Sequence, residues 1–210
     1  IPVLGFATVS KFDLADRLVN SIDYPVEHLV IVDNSGRGVY RPPVNEFVKN
    51  VWVLPIPYGL GLVGAWNLIV KSTPYAPYWL LVNDDAYFER GALESISLEA
   101  RPDALGHPRV NPLFASIVLG EQVVDKVGLY DERFYPLYFD DNDYARRVEA
   151  AGVETYNLSA VIHHDNSASI NHHANAVSYA NNMALFKQKT ETADNSWTWT
   201  LQTRRANKWD

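Results

Sequence analysis

Carboxylates crowd two places in this sequence. The first is Asn83-Asp84-Asp85, directly after the apolar run YWLLV. Adjacent carboxylates repel, and a hard divalent cation offsets that repulsion while leaving positions for phosphate oxygens. Mg2+ or Mn2+ held by Asp84 and Asp85 is one reading; a solvated turn capping the next helix is the other. The second is Asp140-Asp141-Asn142-Asp143, which follows the aromatic stretch Tyr135 to Phe139. Asp140 or Asp141 can cap a helix there. A carboxylate at a helix start, near an aromatic wall and a second acidic pair, also suits a general base. Further along, Arg146, Arg147 and Glu149 read as an ordinary polar face.

Two other clusters carry weaker chemistry. His163-His164-Asp165 closes an apolar run, and neighbouring side chains on a strand point to opposite faces. One imidazole can therefore reach a site while the other packs or meets water. His172-His173 has no carboxylate partner in sequence and is assigned to the surface. Gly59, Gly61 and Gly64, in YGLGLVGAWN, lead into a helix. They permit either close backbone–ligand contact or a flexible turn. Neither a GxGxxG fingerprint nor a Walker A lysine is present.

The elements that would position these groups alternate. Apolar runs at Ile1 to Val9, His28 to Val32, Val51 to Ile56 and Tyr78 to Val82 read as strands. Between and after them, Asp13 to Ile22, Leu62 to Ser72 and Gly91 to Ala100 show helical spacing. Such alternation predicts an α/β fold with a mostly parallel central sheet flanked by helices. Ligands of such sheets sit beyond the C-terminal strand ends, where Thr8, Asp33, Asp84 and Asp85 fall. The second half predicts a strand at Phe114 to Leu119 and a short helix at Gln122 to Val127, closed by Gly128. A helix at Asp141 to Ala151, stopped by Gly152, and a strand at Glu154 to Ile162 follow. A helix at Asn175 to Lys187 and a polar tail with Trp197, Trp199 and Trp209 complete the chain.

Composition narrows the classes. The chain has 210 residues with 47% hydrophobic and 20% charged, an ordinary globular balance. A formal charge of -7 argues against broad nucleic-acid binding and against a polybasic membrane anchor. With no cysteine, disulfides, thiol nucleophiles and thiolate zinc sites are excluded. No apolar run is long enough for a transmembrane segment, and the start shows no signal-peptide pattern; a cytoplasmic location is the expectation.

Six segments, in order, resemble the GT-A glycosyltransferases of the family-2 type. They are VLGFATVSKFDLADRLVNSI, LVIVDNSG, YGLGLVGAWN, WLLVNDDAYF, VGLYDERFYPLYFDDNDYARRVEAAG and VIHHDNSAS. The resemblance implies a GT-A-like fold over 1–169 that binds a nucleotide sugar and catalyses. Residues 170–210 are left as a helical or extended acceptor-side or assembly element. It also implies inverting transfer to an acceptor hydroxyl with Mn2+ or Mg2+, from a UDP- or dTDP-sugar in preference to a GDP-sugar. By position Thr8 and Asp33 resemble the base and ribose contacts, and Asp84 and Asp85 the metal-binding motif, with Asp85 the direct ligand. Gly61 and Gly64 join the donor side. Asp141 resembles the base and Asp140 its neighbour; His163 or His164 resembles a further metal or diphosphate ligand. The sequence reads NDDA, without the spacer of a DxD motif. The acceptor would be a glycan, a protein or a small molecule, and self-association could run through the C-terminal segment. Two other classes fit parts of the pattern. One is a nucleotidyltransferase or other metal-assisted phosphoryl enzyme. The other is a non-catalytic carbohydrate-binding module stacking sugars on its aromatics.

Overall fold

The computed structural model describes residues 1–165 and 172–198, excepting the side chains of 172–176. Residues 170–171 and Trp199 and Trp209 of the C-terminal segment, and the His172 and His173 side chains, lie outside this description. Strands β1 (Val3–Thr8), β2 (Val26–Asp33), β3 (Val48–Pro55) and β4 (Tyr78–Asn83) pair in parallel in the order β3-β2-β1-β4. The apolar runs of β1, β2 and β4 are near-continuous because both faces are covered, whereas the edge strand β3 is half-exposed. The sheet continues through β7 (Ser116–Gly120), antiparallel to β4, then β6 (Leu105–Arg109) and β8 (Thr155–His164), which are parallel to each other. A three-residue strand, β5 (Ala86–Phe88), pairs antiparallel with the end of β8. The result is the expected α/β architecture, an eight-stranded, mostly parallel sheet between helices.

Strand alternation sorts the core into two layers. Leu4, Phe6, Leu80 and Val82 face α1 (Phe12–Asn20) and α3 (Ala92–Glu99), which bury Leu18, Val19, Leu93 and Ile96. Val3, Trp79 and Leu81 face α2 (Gly61–Ser72), α4 (Glu121–Val127) and α5 (Asp140–Ala150), which bury Trp66, Ile69, Val123 and Tyr144. Each fully buried aliphatic side chain contributes roughly 1.5–3 kcal/mol. A Cβ on Gly5 would lie 2.5 Å from Ile69 Cγ2, so the glycine lets α2 settle onto β1.

The structure departs from expectation in three places. The run starting at Phe114 opens as a 3-10 turn over Leu113–Ala115, and the strand begins at Ser116. Strands β5 and β6 were not expected. LGHPR contains a glycine and a proline, which argue against a strand locally, and AYF is too short to show a period. The last described helix, α6 (His172–Glu191), is longer at both ends than its sequence pattern.

Candidate active site

The parallel pairing sets the strand ends side by side. Thr8 is in register with Asp33, and Ala7 with Asn83. Thr8 is fully buried, and its Oγ1 has no hydrogen-bond partner among the described residues; the same holds for Asn83 Oδ1. Asp33 is also fully buried, but its carboxylate turns into its own loop. Oδ1 accepts from the Ser35 N–H at 3.1 Å and the Ser35 hydroxyl at 2.5 Å, and Oδ2 from the Tyr40 N–H at 2.9 Å. Burial pushes the Asp33 carboxyl up, yet these donors together leave it below the usual carboxylate range.

Asn34, which sequence reasoning passed over, clamps the glycine segment. Its Oδ1 accepts from the Leu60 N–H at 2.6 Å and its Nδ2 donates to the Gly61 carbonyl at 3.1 Å. The signal was its place in the Asp-Asn-Ser-Gly turn at the end of β2. Gly61 has φ +75, and a Cβ there would come within 2.7 Å of the Pro136 carbonyl oxygen. At Gly64 the nearest neighbours are Leu60 and Glu132. The close approach these glycines allow is therefore to protein, joining the glycine segment to the 135–136 loop. The Leu62 N–H donates to Pro136 O at 2.9 Å, and the Tyr135 hydroxyl to Gly59 O at 3.3 Å.

The pairing of β5 with β8 explains how an acidic turn meets a histidine far along the chain. Ala86 lies opposite His164, so the residue before it, Asp85, reaches the imidazole. Asp85 Oδ1 and His164 Nε2 are 2.9 Å apart, and both side chains are almost wholly buried. Asn83 Nδ2 lies 3.5 Å from the same nitrogen. Asp84 is buried beside them. Arg17 packs over Tyr87 and bonds Asp165 at 2.7 Å and the Asp85 carbonyl at 3.2 Å. Strand alternation sends His163 to the other face, where it stacks on Tyr87 and meets Glu89 at 3.1 Å. The structure thus brings His164, and not His163, to the acidic pair. Among the described residues no group of three or more histidine, aspartate or glutamate side chains could hold a metal ion.

The second acidic cluster opens α5. Asp140 is buried; burial first, and then the neighbouring Asp141 charge, push its carboxyl up to about 7 against the pull of backbone N–H groups. Asp141 is half-buried at the same helix start. Asp143 is fully buried and takes Arg147 at 2.9 Å, Arg146 at 3.1 Å and Lys189 at 3.0 Å. The polar face expected at Arg146 and Arg147 is corrected here. Arg147 is 2% exposed, and its guanidinium also caps the carbonyls of Val127 and Leu129. A periodicity reading sees charge and assigns it to solvent; the opposing carbonyls and Lys189 come from distant sequence.

A cavity of about 530 Å³ lined by Pro2, His28, Trp52 and Tyr75 opens near the N-terminal ends of β1 and β2, away from the acidic strand ends. It has none of the groups just described. Buried carboxylates, His164 and the unpartnered Thr8 Oγ1 and Asn83 Oδ1 converge instead at the strand ends.

No family model and no curated protein sequence matches this chain. Solved structures do match its fold. The crystal structure of S. aureus TarS 1-349 superposes with a TM-score of 0.57 at 12% identity, covering 78% of this chain and 60% of that one. The same fragment in complex with UDP gives 0.56 at 11% identity, over 78% of this chain and 60% of that one. Its complex with UDP-GlcNAc gives 0.56 at 11%, over 78% and 58%. This chain thus spans about 60% of TarS 1-349. At these identities the likeness is one of fold.

Proposed function

We propose that this protein is a nucleotide-sugar-dependent glycosyltransferase that moves a sugar from a UDP-type donor to an acceptor hydroxyl with inversion. The observation that carries the reading is the set of strand ends. Buried Asp84 and Asp85, the latter joined to His164, adjoin Thr8 Oγ1 and Asn83 Oδ1, two buried atoms with no hydrogen-bond partner among the described residues. A buried polar group without a hydrogen bond costs about 1–3 kcal/mol, which a polar ligand at that edge recovers. The glycosyltransferase-type fold shared with TarS, seen with UDP and UDP-GlcNAc, supports a uridine nucleotide as that ligand.

The residues present fit a divalent cation in part. Asp85 supplies an oxygen and His164 a nitrogen, already within 2.9 Å of each other. Two protein donors leave the remaining positions of Mn2+ or Mg2+ to diphosphate oxygens and water, as such ions accept. Asp85 and His164 would hold it, with the adjacent residue Asp84 adding negative charge. When bound, the ion neutralises charge on the departing diphosphate.

Asp141 is the general base in this reading. It is the carboxylate of the pair that solvent reaches, so an acceptor hydroxyl can reach it too. Asp140 lies buried behind it and holds a proton below about pH 7, which limits the charge stacked at the helix start. The N-terminal end of α5 favours the carboxylate that remains. The hydroxyl oxygen attacks the anomeric carbon as Asp141 takes its proton, and the diphosphate leaves from the opposite face. One base and no second carboxylate as nucleophile give inversion. The test is titration calorimetry with UDP, UDP-GlcNAc and dTDP- and GDP-sugars, with and without Mn2+, followed by UDP release and product stereochemistry. Absence of any nucleotide affinity would sink the reading.

A further inference from the structure

The loop that delivers α5 holds an unfavourable backbone. Tyr138 and Phe139 both lie in the left-handed region, at φ 79 and 63. For residues with a Cβ this costs roughly 1–2 kcal/mol each. Such conformations persist where surrounding contacts over-determine them, and they gather at functional sites. Here the contacts come from one face of α6. Asn182, 3% exposed, directs its side-chain N–H groups at the carbonyls of Leu137 at 2.8 Å, Tyr138 at 3.2 Å and Tyr135 at 3.4 Å. The Ser178 hydroxyl donates to Leu137 O at 3.0 Å. Tyr179 packs against the rings of Tyr138 and Phe139, and Phe186 stacks on Phe139. Two turns beyond Asn182, Lys189 pins the helix to Asp131 at 2.6 Å and Asp143 at 3.0 Å. Residues 178, 182, 186 and 189 share a face by helical spacing.

We infer that Asn182 and Ser178 are positioning residues, which lock the 135–139 loop so that Asp141 is presented to the acceptor. The inference rests on the glycosyl-transfer reading for its consequence, while its geometry is the contact of α6 with the 135–139 loop. An amide suits the task because it sets two donors against clustered carbonyl oxygens, which a carboxylate of the same size would repel. Asn182 touches no reacting atom; it acts through the loop.

The test compares the full chain with Asn182→Ala, Asn182→Asp, Ser178→Ala and Ser178→Thr. Hydrogen exchange over residues 135–141, UDP affinity by calorimetry, and kcat and KM for UDP release from UDP-GlcNAc are measured well below the unfolding temperature. Both Asn182 variants should exchange faster in that loop. Their kcat should fall about 10–100-fold with UDP affinity unchanged, since misplacement near 1 Å costs about that much. Ser178→Ala should show the same pattern more weakly, and Ser178→Thr, which keeps the hydroxyl, should restore it. Should Asn182→Ala not fold, Ser178→Ala and Asn182→Asp decide. Unchanged loop exchange overturns the inference, as does faster exchange with unchanged kcat. A wild-type chain with no UDP affinity removes the glycosyltransferase reading instead, and loop exchange alone then decides whether α6 holds the loop.

Discussion

The two aspartates at the start of α5 differ in surroundings more than in sequence, and that difference separates their tests. Asp141→Asn keeps the size of the side chain and removes its basic oxygen. We expect transfer to fall by about 10²–10⁴-fold, the usual worth of a general base, with UDP affinity intact. Near-full transfer in Asp141→Asn, with loss in Asp140→Asn, would move the base by one residue. Asp140 also makes a stability statement. Its carboxyl is raised from 3.8 to about 7, so between those values the folded chain holds a proton that the unfolded chain has released. Stability from this group is therefore greatest at acid pH, falls as pH rises, and reaches its full penalty above about 7. Asn at this position removes the penalty. Thermal unfolding of Asp140→Asn should show a gain of roughly 1–4 kcal/mol over wild type at pH 8, shrinking toward pH 4. An equal difference at both pH values would contradict the burial argument.

At the scale of elements, the connections between α2, α5 and α6 decide whether the site holds its shape. Gly61 at φ +75 has Pro136 O where a Cβ would sit, so Gly61→Ala meets both backbone strain and a clash. We expect a loss of at least about 1 kcal/mol and faster proteolysis near residue 136. Lys189 lies buried between Asp131 and Asp143. Lys189→Met should cost about 3 kcal/mol in denaturant unfolding, because two buried carboxylates lose a shared cation. A change within error would mean that Arg133, Arg146 and Arg147 suffice. None of this network was legible in the sequence. The parallel strands β1 to β4 were, because runs rich in Val, Leu and Ile, two of them ending in Asp33 and Asn83, are a local signal. So were the acidic strand ends, whereas only the pairing of β5 with β8 shows which of His163 and His164 lies beside Asp85. What escaped was non-local. β5 is three residues long and exists because β8 pairs with it. Arg147 looks solvated until the carbonyls of Val127 and Leu129 are beside it. Asn182 sits in a helix whose sequence shows no clear apolar stripe, and its partners lie more than 40 residues away.

For the whole molecule, the parallel half gathers Thr8, Asp33, Asp84 and Asp85 at one edge, and the antiparallel strands after β4 bring His164 to it. In the proposed reading, helix α5 supplies the base and the strand ends take the phosphate-bearing donor. No helix among the described residues is long and apolar enough to cross a membrane. The proposal assigns donor capture to the strand ends and proton transfer to α5, so on this reading the two functions should fail independently. The most direct measurement is calorimetric titration of UDP into wild type, Asp85→Asn and Asp141→Asn, each with and without Mn2+. We expect wild type to bind UDP more tightly when Mn2+ is present, Asp141→Asn to match it, and Asp85→Asn to bind weakly with no response to the ion. Equal UDP binding by all three chains, indifferent to Mn2+, or no binding by wild type, would contradict a nucleotide-sugar site at these strand ends.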